Sequence, residues 1–441
     1  MKNKFALALA CFFTILTVFA QAPDKTKLDQ YFAALNANNK FMGSVAVSQN
    51  GKTVYSKSIG FADVEKGIKS NENTKFRIGS ISKTFTSTLV LKAAEENKLK
   101  LTDKLEKYFP EIPNASKITI DNMLNHHSGI HNFTNDPEYM SYMTEPKTEA
   151  EMVAIIAKSP SDFEPDSKGE YSNSNYVLLS YIIEKVYKKP FKAIVDEKII
   201  KPLGLKNTYY GSKTNTANNE AYSYSFDGKW TKGAETDMSI PMGAGAMIST
   251  PTDLSRFIEG LFAGKIISMA SLEQMTTMKD NYGLGLFVFP LQSAKAYGHD
   301  GAIDKFTSAV VYIPQDKISI GVVSNGSNDY TNDDISKTLL DWIYKHPFEV
   351  PSFKTASYTT EELDKYIGNY TTTEIPIGIM ITKQGTSLIA QATGQSSFPL
   401  SAAEENVFKF SKAGIVLEFD PAKNQMILKQ GGGVFTFTKT N

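Results

Sequence analysis

The chain predicts an α+β fold: one antiparallel sheet flanked by helices, with a helical lobe, followed by a small all-β barrel. Three observations carry this. Strand-like alternation occurs early, in GSVAVSQNGKTVYSKSIGFAD, and returns late, in NYGLGLFVF, AYGHDGAIDKFTSAVVYI and ISIGVVSNG. Mostly helical sequence lies between, so the sheet must be assembled from segments distant in the chain, with helices packed on it. Beyond about Tyr358 the pattern changes to short runs such as GIMITKQG, SLIAQAT and GIVLEFD, separated by turn residues. Such spacing reads as a closed barrel or a meander.

The first element is an address. Lys2 and Lys4 precede an apolar run from Phe5 to Phe19, and Val18 and Ala20 are small residues placed for cleavage before Gln21. This reads as a secretory signal peptide over residues 1–20. The alternatives are an uncleaved anchor, for which the run is short, and a lipoprotein signal around Cys11. Cys11 is the only cysteine and leaves with the signal, so the mature chain has no disulfide, thiolate metal site or cysteine nucleophile. Cleavage leaves 45 basic and 47 acidic side chains. That near-neutrality argues against nucleic acid or an anionic membrane surface as a partner. No later segment is long and apolar enough to span a bilayer, so no stable membrane insertion is expected after cleavage.

Lys25 to Asn39 reads as an amphipathic helix. Asn50-Gly51 between strand-like runs is a hairpin signal. A helix containing SISK runs to about Glu96. ITIDNMLNHHSGI, the loop FEPDSKGEYSNSN and a helix YVLLSYIIEKVYK ending before Pro190 follow. In GAGAMISTPTDLSRFIEGL, Thr250 or Thr252 caps a further helix. DDISKTLLDWIYK closes this part. The expected boundaries are a first domain over 21–346 and the barrel over 358–441.

Ser80 and Lys83 form the one Ser-x-x-Lys pair in the 441 residues. Three residues apart at a helix start, they share one face of the first turn. There a lysine lowers the cost of removing the serine proton, or removes the proton itself. Tyr171-Ser172-Asn173 follows on a loop before a helix, and His299-Asp300-Gly301 lies on a late strand. Ser80 at a helix start can aim its own N–H at an oxyanion. Tyr171 can exchange a proton with Ser80 and a leaving group once Lys83 holds its pKa down. Asn173 can orient the lysine and bond a substrate amide. Gly301 lets a substrate carbonyl approach the strand closely. His127 and His131, four apart, suggest a metal only weakly, because no acidic third ligand stands out.

In this order and spacing, Ser80-x-x-Lys83, Tyr171-x-Asn173 and His299-Asp300-Gly301 resemble the motifs of the serine β-lactamase-like family, on its class C, DD-peptidase and esterase branch. LNHHSGI, PLGL and GAGAMISTPTDLSRF also look like that family, over about Thr26 to Lys345. The last 80 or so residues resemble a lipocalin-like barrel appended to some members. The resemblance implies a penicillin-recognising serine hydrolase fold, an acyl-enzyme on Ser80 and the N–H of Ala302 as second oxyanion donor. It implies no metal and no organic cofactor.

Two departures bear on substrate. His299 and Asp300 stand where relatives have lysine and threonine, the pair that receives a substrate carboxylate. Neighbours on a strand point opposite ways, so only one of the two faces the ligand, and Asp300 there would repel a carboxylate. Lys305 stands where relatives often have glycine, either restoring positive charge near the cleft or lying on the surface. The expectation is a periplasmic or extracellular serine hydrolase cleaving an amide or ester, with D-amino-acid peptides or cell-wall fragments as the substrate class. Rival readings are a carboxylesterase or β-lactamase, a penicillin-binding sensor that acylates but barely turns over, and a barrel that carries a small molecule.

Overall fold

In the computed structural model, residues 23–291, 294–353, 356–410, 413–431 and 433–440 are described. The signal peptide and Cys11 lie outside them. The central sheet has six antiparallel strands: β1 (Phe41–Gln49), β2 (Lys52–Ile59), β3 (Phe287–Pro290), β4 (Lys295–Ile303), β5 (Phe306–Ile313) and β6 (Ile318–Ser327), in the spatial order β3-β4-β5-β6-β1-β2. The early hairpin and the late meander join where β1 pairs with β6, from Phe41 opposite Ser327 to Gln49 opposite Ile318. The β1–β2 turn is formed by Asn50 and Gly51 with φ of 53° and 77°. Two positive φ values are what a tight hairpin turn demands, and asparagine and glycine supply them at least cost.

Both faces of the sheet are covered, which explains why β1 is buried along almost its whole length. On one face lie α1 (Thr26–Ala37) and, from the far end of the domain, α5 (Asn332–Ile343), contributing Leu28, Phe32, Leu35, Ile335, Leu339 and Trp342. The other face carries α2 (Ser82–Glu95), α3 (Asn173–Tyr187) and α4 (Pro251–Phe262), whose apolar side chains share one core. Phe85 of α2 stacks on Phe257 of α4 with centroids 3.8 Å apart. Thr250 rather than Thr252 caps α4, accepting from the Asp253 N–H.

Two boundaries differ from expectation. Ser80 lies in a 3-10 turn, Gly79–Ile81, and α2 begins at Ser82. Helix α3 begins at Asn173, so Asn173 is a first-turn residue and Tyr171 precedes the cap Ser172. The small three-stranded sheet of Phe76–Arg77, Met247–Ser249 and Tyr209–Tyr210 was not anticipated. It ties the approach to Ser80 to the segment before α4, with Phe76 opposite Ser249.

Eight antiparallel strands between Gly368 and Thr440 form a closed barrel. One end is filled by Tyr366, Phe408, Phe419 and Met426. Tyr366 sits at the centre of that end, with its hydroxyl donating to Asn406 Oδ1 at 2.6 Å. Among the described residues no helix is long and apolar enough to cross a membrane.

Candidate active site

The turn carrying Ser80 is pressed against β4, and glycines on both sides make this possible. Gly79 has φ 49°, and a Cβ there would lie 2.7 Å from the Ala302 carbonyl oxygen. A Cβ on Gly301 would stand 2.2 Å from the Ile78 carbonyl oxygen and 2.9 Å from Ser80 N. Real Cβ atoms do not come so close to backbone. Gly301 is therefore required by the serine's own turn, not by an approaching substrate as the sequence suggested. Strand β3 pairs with β4 only from Lys295 to Gly298. The run His299–Ile303 is thus an edge on the side that meets the turn, and this brings Ala302 beside Ser80. Ser308 Oγ, from β5, donates to the Ile78 carbonyl at 2.7 Å and fixes the same turn from the other side.

Lys83 is completely buried and has three polar neighbours: Asn173 Oδ1 at 2.7 Å, the Ala244 carbonyl at 2.8 Å and Ser80 Oγ at 2.9 Å. Burial holds its pKa well below that of an ordinary lysine, and the negative charge of Asp300 opposes this only in part. The rings of Tyr171 and Tyr176, 4.9 and 5.7 Å from Nζ, would favour the ammonium. A contact of that kind is worth about 0.5–2 kcal/mol, less than the several kcal/mol of desolvating an ion, so the balance shifts Lys83 towards its neutral form. A neutral amine has two N–H donors and one lone pair. Two of its neighbours are carbonyl oxygens that can only accept. The lone pair is left facing the Ser80 hydroxyl, the geometry of a base poised to take its proton.

Asn173 is held in the orientation that serves Lys83. Its Nδ2 donates to Thr134 Oγ1 at 3.0 Å, and its backbone N–H donates to Asn132 Oδ1 at 3.0 Å. Tyr171 is within reach of Ser80, but its pKa is raised by burial, with neighbouring Tyr176, Asp300 and Tyr282 adding to the effect and the Ser80 hydrogen bond opposing it. This corrects the expectation that Lys83 lowers it. Lys83 is not among the groups that lower it, and Tyr171 is a phenol, a proton donor. Its ring stacks on His126, centroids 4.5 Å apart. His126 accepts the Ser172 N–H on Nδ1 at 3.1 Å, so a buried histidine helps to set the Tyr171 loop. His127 and His131 serve structure: His127 meets Asn125 and Asp280, and His131 bridges Asp136 and Asp162.

His299 and Asp300 point opposite ways, as β geometry requires. His299 is buried beside Phe287, ring centroids 4.6 Å apart, with Nδ1 donating to the Asp300 carbonyl. Burial, with Lys83 adding to it, pushes its pKa down to about 3. Asp300 is 75% exposed and faces outward with Ala302. Lys305 lies at the far end of a cleft of about 410 Å³ lined by Ser80, Phe133, Tyr139, Met143 and Ala302 among others.

One support of this cleft escaped the sequence reading. Arg77 is buried and bonds Asp304 Oδ2 and Glu235 Oε2, both at 2.9 Å. Asp304 also accepts from the backbone and side chain of Thr236. The network clamps the 234–236 wall of the cleft to the turn between β4 and β5. Arginine and aspartate 227 residues apart carry no local signal of their pairing.

The buried histidine makes stability pH-dependent. Below about pH 6.5 the unfolded chain protonates His299 while the folded chain, with its pKa near 3, does not. Stability is full above that pH and falls as pH drops through the window, by about 1.4 kcal/mol per pH unit. Chemical denaturation at pH 7 and pH 5 is expected to show this loss in the wild type and a shallower slope in His299→Gln. Equal slopes would show that His299 is not the group responsible.

A family model described as Beta-lactamase matches residues 28–340. The teichoic acid D-alanine hydrolase of Staphylococcus aureus (strain MRSA252) is 31% identical over 275 residues, covering 61% of this chain and 66% of that protein. The chain thus spans 66% of the length of the curated relatives it matches. The D-amino acid amidase from Ochrobactrum anthropi SV3, solved with D-phenylalanine, aligns with a TM-score of 0.63 at 26% identity, over 72% of this chain and 99% of that one. An octameric penicillin-binding protein homologue from Pyrococcus abyssi aligns with a TM-score of 0.65 at 23% identity, over 94% of this chain and 99% of that one. That likeness is one of fold, and its extent takes in the barrel.

Proposed function

Because the chain belongs to the beta-lactamase family of serine hydrolases, we propose that it cleaves a D-aminoacyl amide or ester through an acyl-enzyme on Ser80. The observation that carries this reading is the buried Lys83, whose two carbonyl partners leave its third contact, at 2.9 Å, for the Ser80 hydroxyl. In acylation Lys83 takes the Ser80 proton as Oγ attacks the carbonyl carbon. The N–H groups of Ser80 and Ala302 receive the developing oxyanion. Tyr171 donates its phenolic proton to the leaving group and is reprotonated at the expense of the Lys83 ammonium. Water then attacks the acyl carbon and gives a proton to Lys83; the bond from that carbon to Ser80 Oγ breaks, Oγ takes the proton back from Lys83, and the acid is released. No metal or organic cofactor enters these steps.

The D-configuration is supported by the two likenesses whose names carry it, the D-amino acid amidase and the teichoic acid D-alanine hydrolase. Export to the periplasm or the cell exterior is part of the proposal, supported by the basic-then-apolar run Lys2 to Ala20. Its substrates would be small molecules or peptides met there, cell-wall fragments included. The test is a panel of D- and L-aminoacyl p-nitroanilides, p-nitrophenyl esters and a chromogenic cephalosporin, each run beside Ser80→Ala. The expected result is turnover of D-aminoacyl substrates, abolished in Ser80→Ala. A preference for L-substrates, or a cephalosporin cleaved best of all, would overturn the substrate class.

A further inference from the structure

Asp300 and Ala302 are two residues apart on β4 and exposed on the same face, while His299 and Gly301 between and beside them are buried. Residues so spaced lie about 7 Å apart along a strand. Ala302 marks the oxyanion side of Ser80. From it the strand continues one way through Ile303 and Asp304 to Lys305, which line the cleft together with Phe133, Tyr139 and Met143. The other way it reaches Asp300. The carboxylate there is 75% exposed, and no lysine or arginine lies within 4 Å of it among the described residues. The one nearby basic group is His299 Nδ1 at 3.6 Å, and that histidine is neutral. Asp304, by contrast, is neutralised by Arg77. Asp300 is also close enough for its charge to raise the pKa of both Lys83 and Tyr171.

We propose that Asp300 selects the leaving group, so that the enzyme takes substrates whose released alcohol or amine is cationic or neutral and discriminates against those that release a carboxylate-bearing group. This rests on the acyl-enzyme reading and deepens it. The acyl part enters the cleft beside Phe133, Tyr139 and Met143, and the departing part passes the free carboxylate. Peptides ending in a free D-amino acid, and β-lactams with a ring carboxylate, are then poor substrates. Aminoacyl amides, and esters of amino alcohols or of neutral polyols, are good ones.

The test uses three D-alanyl aryl esters that differ only in the charge of the leaving group: 4-nitrophenyl, 3-carboxy-4-nitrophenyl and 3-(trimethylammonio)phenyl. Each kcat/KM is divided by the rate of hydroxide hydrolysis, and the quantity compared is the ratio among the three esters within one protein. Wild type is expected to disfavour the carboxylated ester by about tenfold, as an exposed like-charge contact allows. Asp300→Asn should bring the ratio towards one, and Asp300→Lys should reverse it. Added salt should compress the wild-type ratio. A ratio unchanged in Asp300→Asn and Asp300→Lys overturns the proposal. Failure of the underlying reading is a separate outcome, because Ser80→Ala would then hydrolyse all three esters.

Discussion

Replacing Lys83 by methionine is expected to lower kcat/KM for both anilides and activated esters by roughly 10²–10⁴, the range for loss of a general base. Methionine preserves volume in a buried site and removes the lone pair that faces Ser80 Oγ. Tyr171→Phe isolates the other half of the proton path. It keeps the ring that stacks on His126 and deletes only the hydroxyl. Because that phenol is proposed to serve the leaving group, its loss should be severe for p-nitroanilides and mild for p-nitrophenyl esters, whose leaving group departs without a proton. The double variant should fall little below Lys83→Met alone, since groups that hand on one proton act as a unit. Steady-state kinetics on the two substrate types checks this. Multiplicative losses, or equal loss on ester and anilide in Tyr171→Phe, would show that the two side chains work independently.

The second large effect concerns Gly301. An alanine methyl would meet the Ile78 carbonyl oxygen at 2.2 Å and Ser80 N at 2.9 Å. The clash is with backbone, so strand and turn must move apart. The two proposed oxyanion donors lie on those two segments, and separating them should cost what losing one donor costs, roughly 10²–10³ in kcat. KM for a small ester should change little. The fold should persist, because the same strand remains paired with β5 from Tyr297 to Ile303. Circular dichroism and kinetics on Gly301→Ala test this together. Full activity in a folded variant would mean that the close approach of β4 and the Ser80 turn is not what sets the site.

Much of this architecture was legible in the chain because it is written in local patterns. Asn50-Gly51 announces its turn through the φ values it must adopt, and the C-terminal barrel through its short runs and turn residues. Ser80-x-x-Lys83 is local in the same sense. The features that were missed are those that sequence encodes weakly. Ala244 serves Lys83 through a backbone carbonyl, which any residue could supply. Thr134 and Asn132 hold Asn173 from about forty residues away. His126 sits beneath Tyr171 because of how two loops cross, and a histidine in HHSG reveals nothing of that. The Gly79 signal was present in RIGSISK, but only the nearness of Ala302 shows why a glycine is needed there. The sign of the Tyr171 shift also depended on burial. A lysine near a tyrosine suggests a lowered pKa until the lysine proves too deeply buried to hold its charge.

The most direct test of the account is to trap the intermediate. The full-length mature protein is treated with a phosphonate ester carrying a D-alanyl-like group, digested and analysed by mass spectrometry. The account predicts one added phosphonyl mass, confined to the peptide that contains Ser80 and absent from Ser80→Ala. An adduct on another residue, or one that persists undiminished in Ser80→Ala, would contradict it.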